Sequence, residues 1–183
     1  MSADDGPRPS QPPAVSRESI EAWRLAARTE PVDSTLRSIY REIAESTRTA
    51  RPICVASGKC CRFEAYGHRL YVTGLEVAWF LDQFEALGRS VTLAEIAAAR
   101  GAGTCPFLAE GFCSVHTIRP FACRTFFCDP RSEAWQTELH ESCHGRVRAL
   151  HEQLQLPYWY GEWRQVLEAA SAPPTEWSAG ADA

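Results

Sequence analysis

The sequence predicts a small, mainly helical α+β domain with a short strand region and a core of cysteine-rich loops. Apolar residues recur with helical periodicity along most of the chain, and the clearest strand composition is in Arg69–Val72. The cysteines lie beside Gly58, Pro106, Gly111 and Pro120, which are residue types that form tight turns. A chain of 183 residues is long enough to bury one hydrophobic core.

Two helices are predicted before the first cysteine cluster. Ser16 can cap a helix over Arg17–Arg28, which Pro31 ends. A second helix is expected to begin near Asp33 or Ser34. Its apolar face consists of Leu36, Ile39, Tyr40 and Ile43.

Two capping boxes predict the next helices. In Thr73-Gly-Leu-Glu76 each side chain can satisfy a free backbone N–H at a helix start, and this helix runs to Leu87. A second box, Thr92-Leu-Ala-Glu95, opens a shorter helix that ends at Gly101. Both helices therefore have matching start and stop signals.

Later elements follow from turn residues and periodicity. Cys105–Leu108 is expected to be extended, with a turn at Glu110–Gly111, and Pro120 to begin a short helical turn. A long helix is predicted over Ser132–Leu154, and a last helix from Tyr158 to about Ala170. The apolar stripe of the long helix consists of Trp135, Leu139, Cys143, Val147, Leu150 and Leu154.

Composition sets the domain limits and excludes several classes of function. The domain is predicted to span residues 16–170, because 1–15 and 171–183 have the Pro-, Ser- and Ala-rich composition of disordered tails. A net charge of −4 argues against nucleic-acid binding. The longest apolar run, Leu75–Leu81, is far shorter than the roughly 20 residues that span a bilayer. With no apolar signal segment near the N-terminus, we expect a cytoplasmic protein with no membrane partner.

Cysteine clustering points to a metal site. Thiols in the cytoplasm stay reduced, so clustered cysteines there favour metal binding over disulfides. Lys59, Arg62, Arg119, Arg124 and Arg131 flank the cysteines, and nearby cations favour the thiolate form that binds metal. The candidate metal ligands are Cys54, Cys60, Cys61, Cys105, Cys113, Cys123 and Cys128.

Two of the eight cysteine positions raise a geometric question. Adjacent Cys60 and Cys61 should point in different directions on either a strand or a helix. Either one of them is structural, or two metal sites lie side by side. Cys143, within the apolar stripe of the long helix, is expected to be a packed thiol rather than a ligand.

The chain resembles the cysteine-cluster family named for its CxxCxxCC motif, which is described as a zinc- or iron-chelating domain. The resemblance covers about residues 50–130. Its motifs are Cys54-Val-Ala-Ser57-Gly58-Lys-Cys60-Cys61, Cys105-Pro-Phe-Leu108, Cys113 and Arg119-Pro-Phe-Ala-Cys123-Arg124. The resemblance implies zinc or iron as the cofactor, either as an ion or as a 4Fe-4S cluster.

The chain departs from the family pattern at two positions. Ser57 replaces the second cysteine of the motif, and His116 stands where a tyrosine is usual and is expected to fill space. Some family members are similar to the bacterial flagellin lysine methylases, which are larger and are associated with an iron–sulfur cluster.

The alternative interpretation is a metalloenzyme. Besides an iron–sulfur-dependent modifying enzyme, the sequence allows a zinc hydrolase, because His140-Glu141-Ser-Cys-His144 matches the HExxH pattern of zinc proteases. The charged neighbours Glu138 and Arg146 are unusual beside such a motif, which favours a coincidental match.

Overall fold

Helices dominate the chain in the computed structural model, which describes residues 15–54 and 58–172. The helices are α1 (Arg17–Ala27), α2 (Glu30–Ala50), α3 (Gly74–Ala86), α4 (Leu93–Gly101), α5 (Phe121–Thr125), α6 (Glu133–Gln153) and α7 (Trp163–Ser171). The strands are β1 (Tyr71–Thr73), β2 (Leu108–Ala109), β3 (Phe112–Cys113) and β4 (Tyr160–Glu162). This architecture confirms the predicted small, mainly helical α+β domain. Residues 1–14 and 173–183, nearly all of the two predicted tails, lie outside the described ranges.

Helix α3 lies at the centre of the core. Nine of its 13 residues are buried, including the whole of its first two turns, as is typical of a helix enclosed by other elements. α1 packs along it so closely that a Cβ added at Gly74 would lie 2.4 Å from the Trp23 ring. The Trp23 indole N–H donates to the Pro157 carbonyl oxygen at 2.7 Å, which ties α1 to the segment before β4. None of the described helices combines the length and the apolar character needed to cross a bilayer.

The local helix signals are confirmed. Thr73 and Thr92 both form the predicted capping boxes, at the starts of α3 and α4. Ser16 caps α1 through the N–H of Ser19. The apolar stripe of α6 is buried at Leu139, Cys143, Val147 and Leu150.

Helix α2 begins earlier than predicted. It starts at Glu30, and Pro31, which was expected to end the preceding helix, lies in the first turn of α2. Proline suits that turn because its missing N–H is not needed there. Asp33 therefore lies inside the helix, where its carboxylate accepts from the Trp79 indole N–H at 3.0 Å and from Arg37 at 2.7 Å.

The prediction of a helix beginning at Tyr158 is wrong for its first residues. Tyr160–Glu162 forms β4, which pairs antiparallel with β1 and places Gly161 opposite Val72. The Trp159 ring covers Gly161 so closely that an added Cβ would lie 1.8 Å from it. β1 overlaps the predicted Arg69–Val72 strand but begins two residues later and ends one residue later. Strand pairing between distant segments overrides the helical pattern here, and α7 begins only at Trp163.

Glu76 joins the start of α3 to the start of α5. One carboxylate oxygen accepts from the N–H of Phe121 at 3.2 Å. The other accepts from the N–H and the hydroxyl of Thr73, both at 3.1 Å. The side chain is fully buried, and burial raises its pKa from 4.5 to about 7. This buried acid therefore fixes the position of the helix that carries Cys123.

Titration of Glu76 should make stability depend on pH. The folded protein holds the Glu76 proton more tightly than the unfolded chain, so this contribution is full below about pH 4.5 and declines as pH rises to about 7. The shift corresponds to about 3 kcal/mol. We expect the free energy of unfolding of wild type to fall across this window relative to Glu76→Gln, measured by urea unfolding at each pH. Parallel curves for the two proteins would contradict the assignment.

Candidate functional site

Five cysteines from four chain segments line one small cavity. Cys60 and Cys61 lie on a 3-10 turn, Lys59–Cys61; Cys105 follows α4, Cys113 ends β3, and Cys123 lies on α5. The cavity has a volume of about 20 Å³. The other residues in its lining are Phe107, Val115, Arg119, Pro120 and Trp163. We call Cys60, Cys61, Cys105, Cys113 and Cys123 the inner thiol group.

Backbone contacts bring these segments together. The N–H of Cys105 donates to the Cys61 carbonyl oxygen at 2.8 Å. Gly58, at the start of the 3-10 turn, has a φ of +67°, and a Cβ there would lie 2.4 Å from the Gly111 carbonyl oxygen in the β2–β3 turn. Only glycine accommodates both the left-handed backbone and this approach. The turn at Glu110–Gly111 was predicted, and both residues have positive φ.

The inner thiols differ in their affinity for protons. Hydrogen bonds to Cys105, Cys113 and Cys60 raise the pKa of the Cys61 thiol, which therefore keeps its proton. The hydrogen bond from Cys61 lowers the pKa of Cys60 to about 7 and that of Cys113 to about 6. Burial raises the pKa of Cys123. Because Cys61 has one proton to donate, this hydrogen bond favours a thiolate at Cys60 or at Cys113 near neutral pH, but not at both together.

Arg119 provides a cation at the cavity. Its charge is one of the factors that lower the pKa of Cys60 and Cys113. Its Nε–H is buried and has no hydrogen-bond acceptor in the described part of the chain. A buried unpaired N–H is costly, so this group is suited to an anionic sulfur in the cavity.

Cys54 and Cys128 form a separate, exposed pair beside the inner group. Asp129 holds their segments together, because its carboxylate accepts from the N–H of Ile53 at 3.1 Å and pairs with Arg131 at 2.9 Å. Burial, followed by the charge of Cys60 and a smaller effect of Cys54, raises the pKa of Cys128. We call Cys54 and Cys128 the outer thiols.

The seven candidate ligands therefore fall into two adjoining groups. Cys60 and Cys123 line both the inner cavity and an open pocket of about 680 Å³, whose lining also includes Cys128. Cys60 and Cys61 both line the inner cavity, but of the two only Cys60 also lines the open pocket. The expected divergence of these adjacent side chains on the 3-10 turn therefore places Cys60 between the two spaces.

The remaining sequence features have clear positions. Cys143 is fully buried in the core and, as predicted, is a packed thiol, and burial raises its pKa to about 11. His116 is exposed, so the prediction that it fills space is wrong. Ser57 lies outside the described residues. The buried role of Glu76 was not predicted, and its one signal was an acid within an otherwise apolar stretch.

The HExxH histidines bind tyrosines. His140 Nε2 lies 3.3 Å from the Tyr160 hydroxyl, and His144 Nε2 lies 2.6 Å from the Tyr158 hydroxyl. Burial lowers the pKa of both imidazoles. Because both Nε2 atoms are engaged, the geometry gives the zinc-hydrolase alternative no support.

Neither a preformed metal site in the described residues nor a similar known protein supports a particular function. Among residues 15–54 and 58–172, no group of three or more His, Cys, Asp or Glu side chains stands in an arrangement that could hold a metal ion. No protein family, curated protein or solved structure matches the chain. The resemblance to the CxxCxxCC family therefore rests on the motifs alone.

Replacement of Gly58 tests the turn that assembles the inner thiol group. Gly58→Ala should destabilise the protein by more than the roughly 1–2 kcal/mol that positive φ costs an L-residue, because its Cβ also meets the Gly111 carbonyl oxygen. Gly67→Ala is the matched control, since Gly67 has a φ of +63° with nothing within 4 Å. Denaturant unfolding measures both variants. Equal losses of unfolding free energy in the two variants would show that the close approach of Gly58 to Gly111 adds nothing to the cost of the positive φ.

Proposed function

We propose that this protein chelates a thiophilic metal, zinc or iron, through the inner thiol group. The observation that supports this proposal most strongly is that five thiols from four chain segments line one cavity. Core cysteines packed as small hydrophobes have no reason to meet in this way, and Cys143 shows how such a cysteine looks in this fold: isolated within the α6 stripe.

The donor set suits such a metal. Zinc and iron both accept thiolate ligands, and zinc sites are tetrahedral with four of them. Cys61, Cys105 and Cys113 line only the inner cavity, whereas Cys60 and Cys123 also face the open pocket. Four ligands can therefore come from within the group, and the Arg119 Nε–H is available to donate to one of the sulfur atoms.

Metal binding would change the protonation of the inner thiol group. Cys61 keeps its proton through hydrogen bonds to Cys60, Cys105 and Cys113. Binding would require this proton to leave and the sulfur atoms to adjust, since metals bind the thiolate form. This adjustment is required because no preformed metal group is found among the described residues.

Cavity size favours one ion over a cluster. A volume of about 20 Å³ is only slightly more than a single water molecule requires. A 4Fe-4S cluster would need a larger space than this cavity. The segments that carry the outer thiols would have to move to provide it. We therefore favour a mononuclear centre.

The second candidate is an iron–sulfur-dependent modifying enzyme. The observation in its favour is the open pocket of about 680 Å³, which shares Cys60 and Cys123 with the inner cavity. This volume is in the range of small-molecule sites. Acid-labile sulfide in the purified protein would favour this candidate over a mononuclear site.

Metal analysis tests the proposal. Protein purified without oxygen should contain about one zinc or iron ion per chain, and Cys61→Ser and Cys105→Ser should lose it. Cys143→Ser is the matched control, because it removes a buried thiol outside the cavity. Chelation should lower the free energy of unfolding by about 4 kcal/mol if free metal is a thousandfold above Kd.

The metal contents of the wild type and the variants can follow three patterns. Metal lost from the inner variants and kept in Cys143→Ser supports the proposal. Metal-free wild type with eight titratable thiols, even after incubation with zinc or ferrous iron, would contradict it. Equal metal content in all variants would place the metal elsewhere and contradict it as well.

A further inference from the structure

A second open cavity is lined by residues of α2, α3, α5 and the segment that precedes α5. Its volume is about 670 Å³. Three arginines and one acid are the charged residues in its lining: Arg37, Arg41, Arg124 and Asp33. We call this cavity the arginine groove. The groove shares no lining residue with the inner cavity, although Arg124 follows Cys123 directly in the chain.

The single acid of the groove is already neutralised. Asp33 pairs with Arg37 at 2.7 Å and also accepts from the Trp79 indole N–H at 3.0 Å. The Arg37 guanidinium in turn lies 5.7 Å from the centre of the Trp79 ring. The charges of Asp33 and Arg37, at this end of the groove, are therefore paired with each other.

The other two arginines have no acid partner. The Arg124 guanidinium donates to the carbonyl oxygens of Arg119 and Thr117, which orient it without cancelling its charge. It lies 4.0 Å from the centre of the Tyr40 ring, in a cation–π contact. Arg41 is exposed and has no hydrogen bond or ion pair to any described residue. Two positive charges thus remain uncompensated in the groove, although the chain as a whole has a net charge of −4.

We infer that the arginine groove binds a small organic anion through a phosphate or carboxylate group. The planar guanidinium donates in pairs to these groups, and Arg124 is held in place by Tyr40 and two backbone carbonyls before any ligand arrives. The buried Tyr40 and Trp79 rings provide an apolar floor. The volume exceeds what a bare inorganic ion needs and suits an organic molecule.

Titration with inorganic phosphate and with citrate, at constant ionic strength, tests this inference by calorimetry on the full chain. The variant is Arg41→Glu, because Arg41 is exposed and makes no contact that folding requires. The matched control is Arg48→Glu, which changes the net charge equally on the same helix. Arg48 pairs with Glu45, and neither residue lines the groove.

We expect saturable binding of at least one probe, weakened about tenfold or more by Arg41→Glu and left within about twofold by Arg48→Glu, where tenfold corresponds to 1.4 kcal/mol. Binding of phosphate alone would show that the groove recognises a phosphate group, and binding of citrate alone would show that it recognises carboxylates. No saturable binding of either probe at millimolar concentration would overturn the inference. Equal weakening by both variants would also overturn it, because it would show only a general charge effect.

Discussion

The buried carboxylate of Glu76 is the contact on which the arrangement of this fold depends. It accepts from the N–H and the hydroxyl of Thr73, the residue that caps α3, and from the N–H of Phe121 at the start of α5. The position of α5 relative to the central helix is therefore set by a polar group with no access to water. Cys123 lies on α5, and Arg119 lies just before the Pro120 cap of that helix, so the same contact positions two residues of the inner cavity. The approach of Gly58 to Gly111 positions the 3-10 turn that carries Cys60 and Cys61.

The helices were predictable where the signals are local. Capping boxes at Thr73 and Thr92 lie within one turn of the helices that they begin, and the α6 stripe needs no distant partner. The predictions failed where contacts with a distant segment determine the local secondary structure. Tyr160–Glu162 is a strand because β1 pairs with it. Pro31 can end one helix or begin the next, and only the packing of the two helices distinguishes these possibilities.

The candidate site could be predicted as a set of residues but not as a geometry. Turn-forming neighbours marked the clustered cysteines, and the place of Cys143 in a helical stripe identified it as a core residue. The division into inner and outer thiols depends on the 3-10 turn at Cys60 and on the Asp129 contact to Ile53, neither of which has a sequence signature. The uncompensated arginines of the groove come from distant segments, so sequence spacing could not reveal them.

Cysteine-resolved alkylation, read by mass spectrometry with and without added zinc, tests most directly whether the inner thiol group is a metal site. We predict that zinc protects Cys60, Cys113 and Cys123, the part-exposed inner thiols, while the exposed outer thiols stay reactive. The buried Cys61, Cys105 and Cys143 should be unreactive in both states. Protection confined to Cys54 and Cys128, or an identical labelling pattern with and without zinc, would contradict the account.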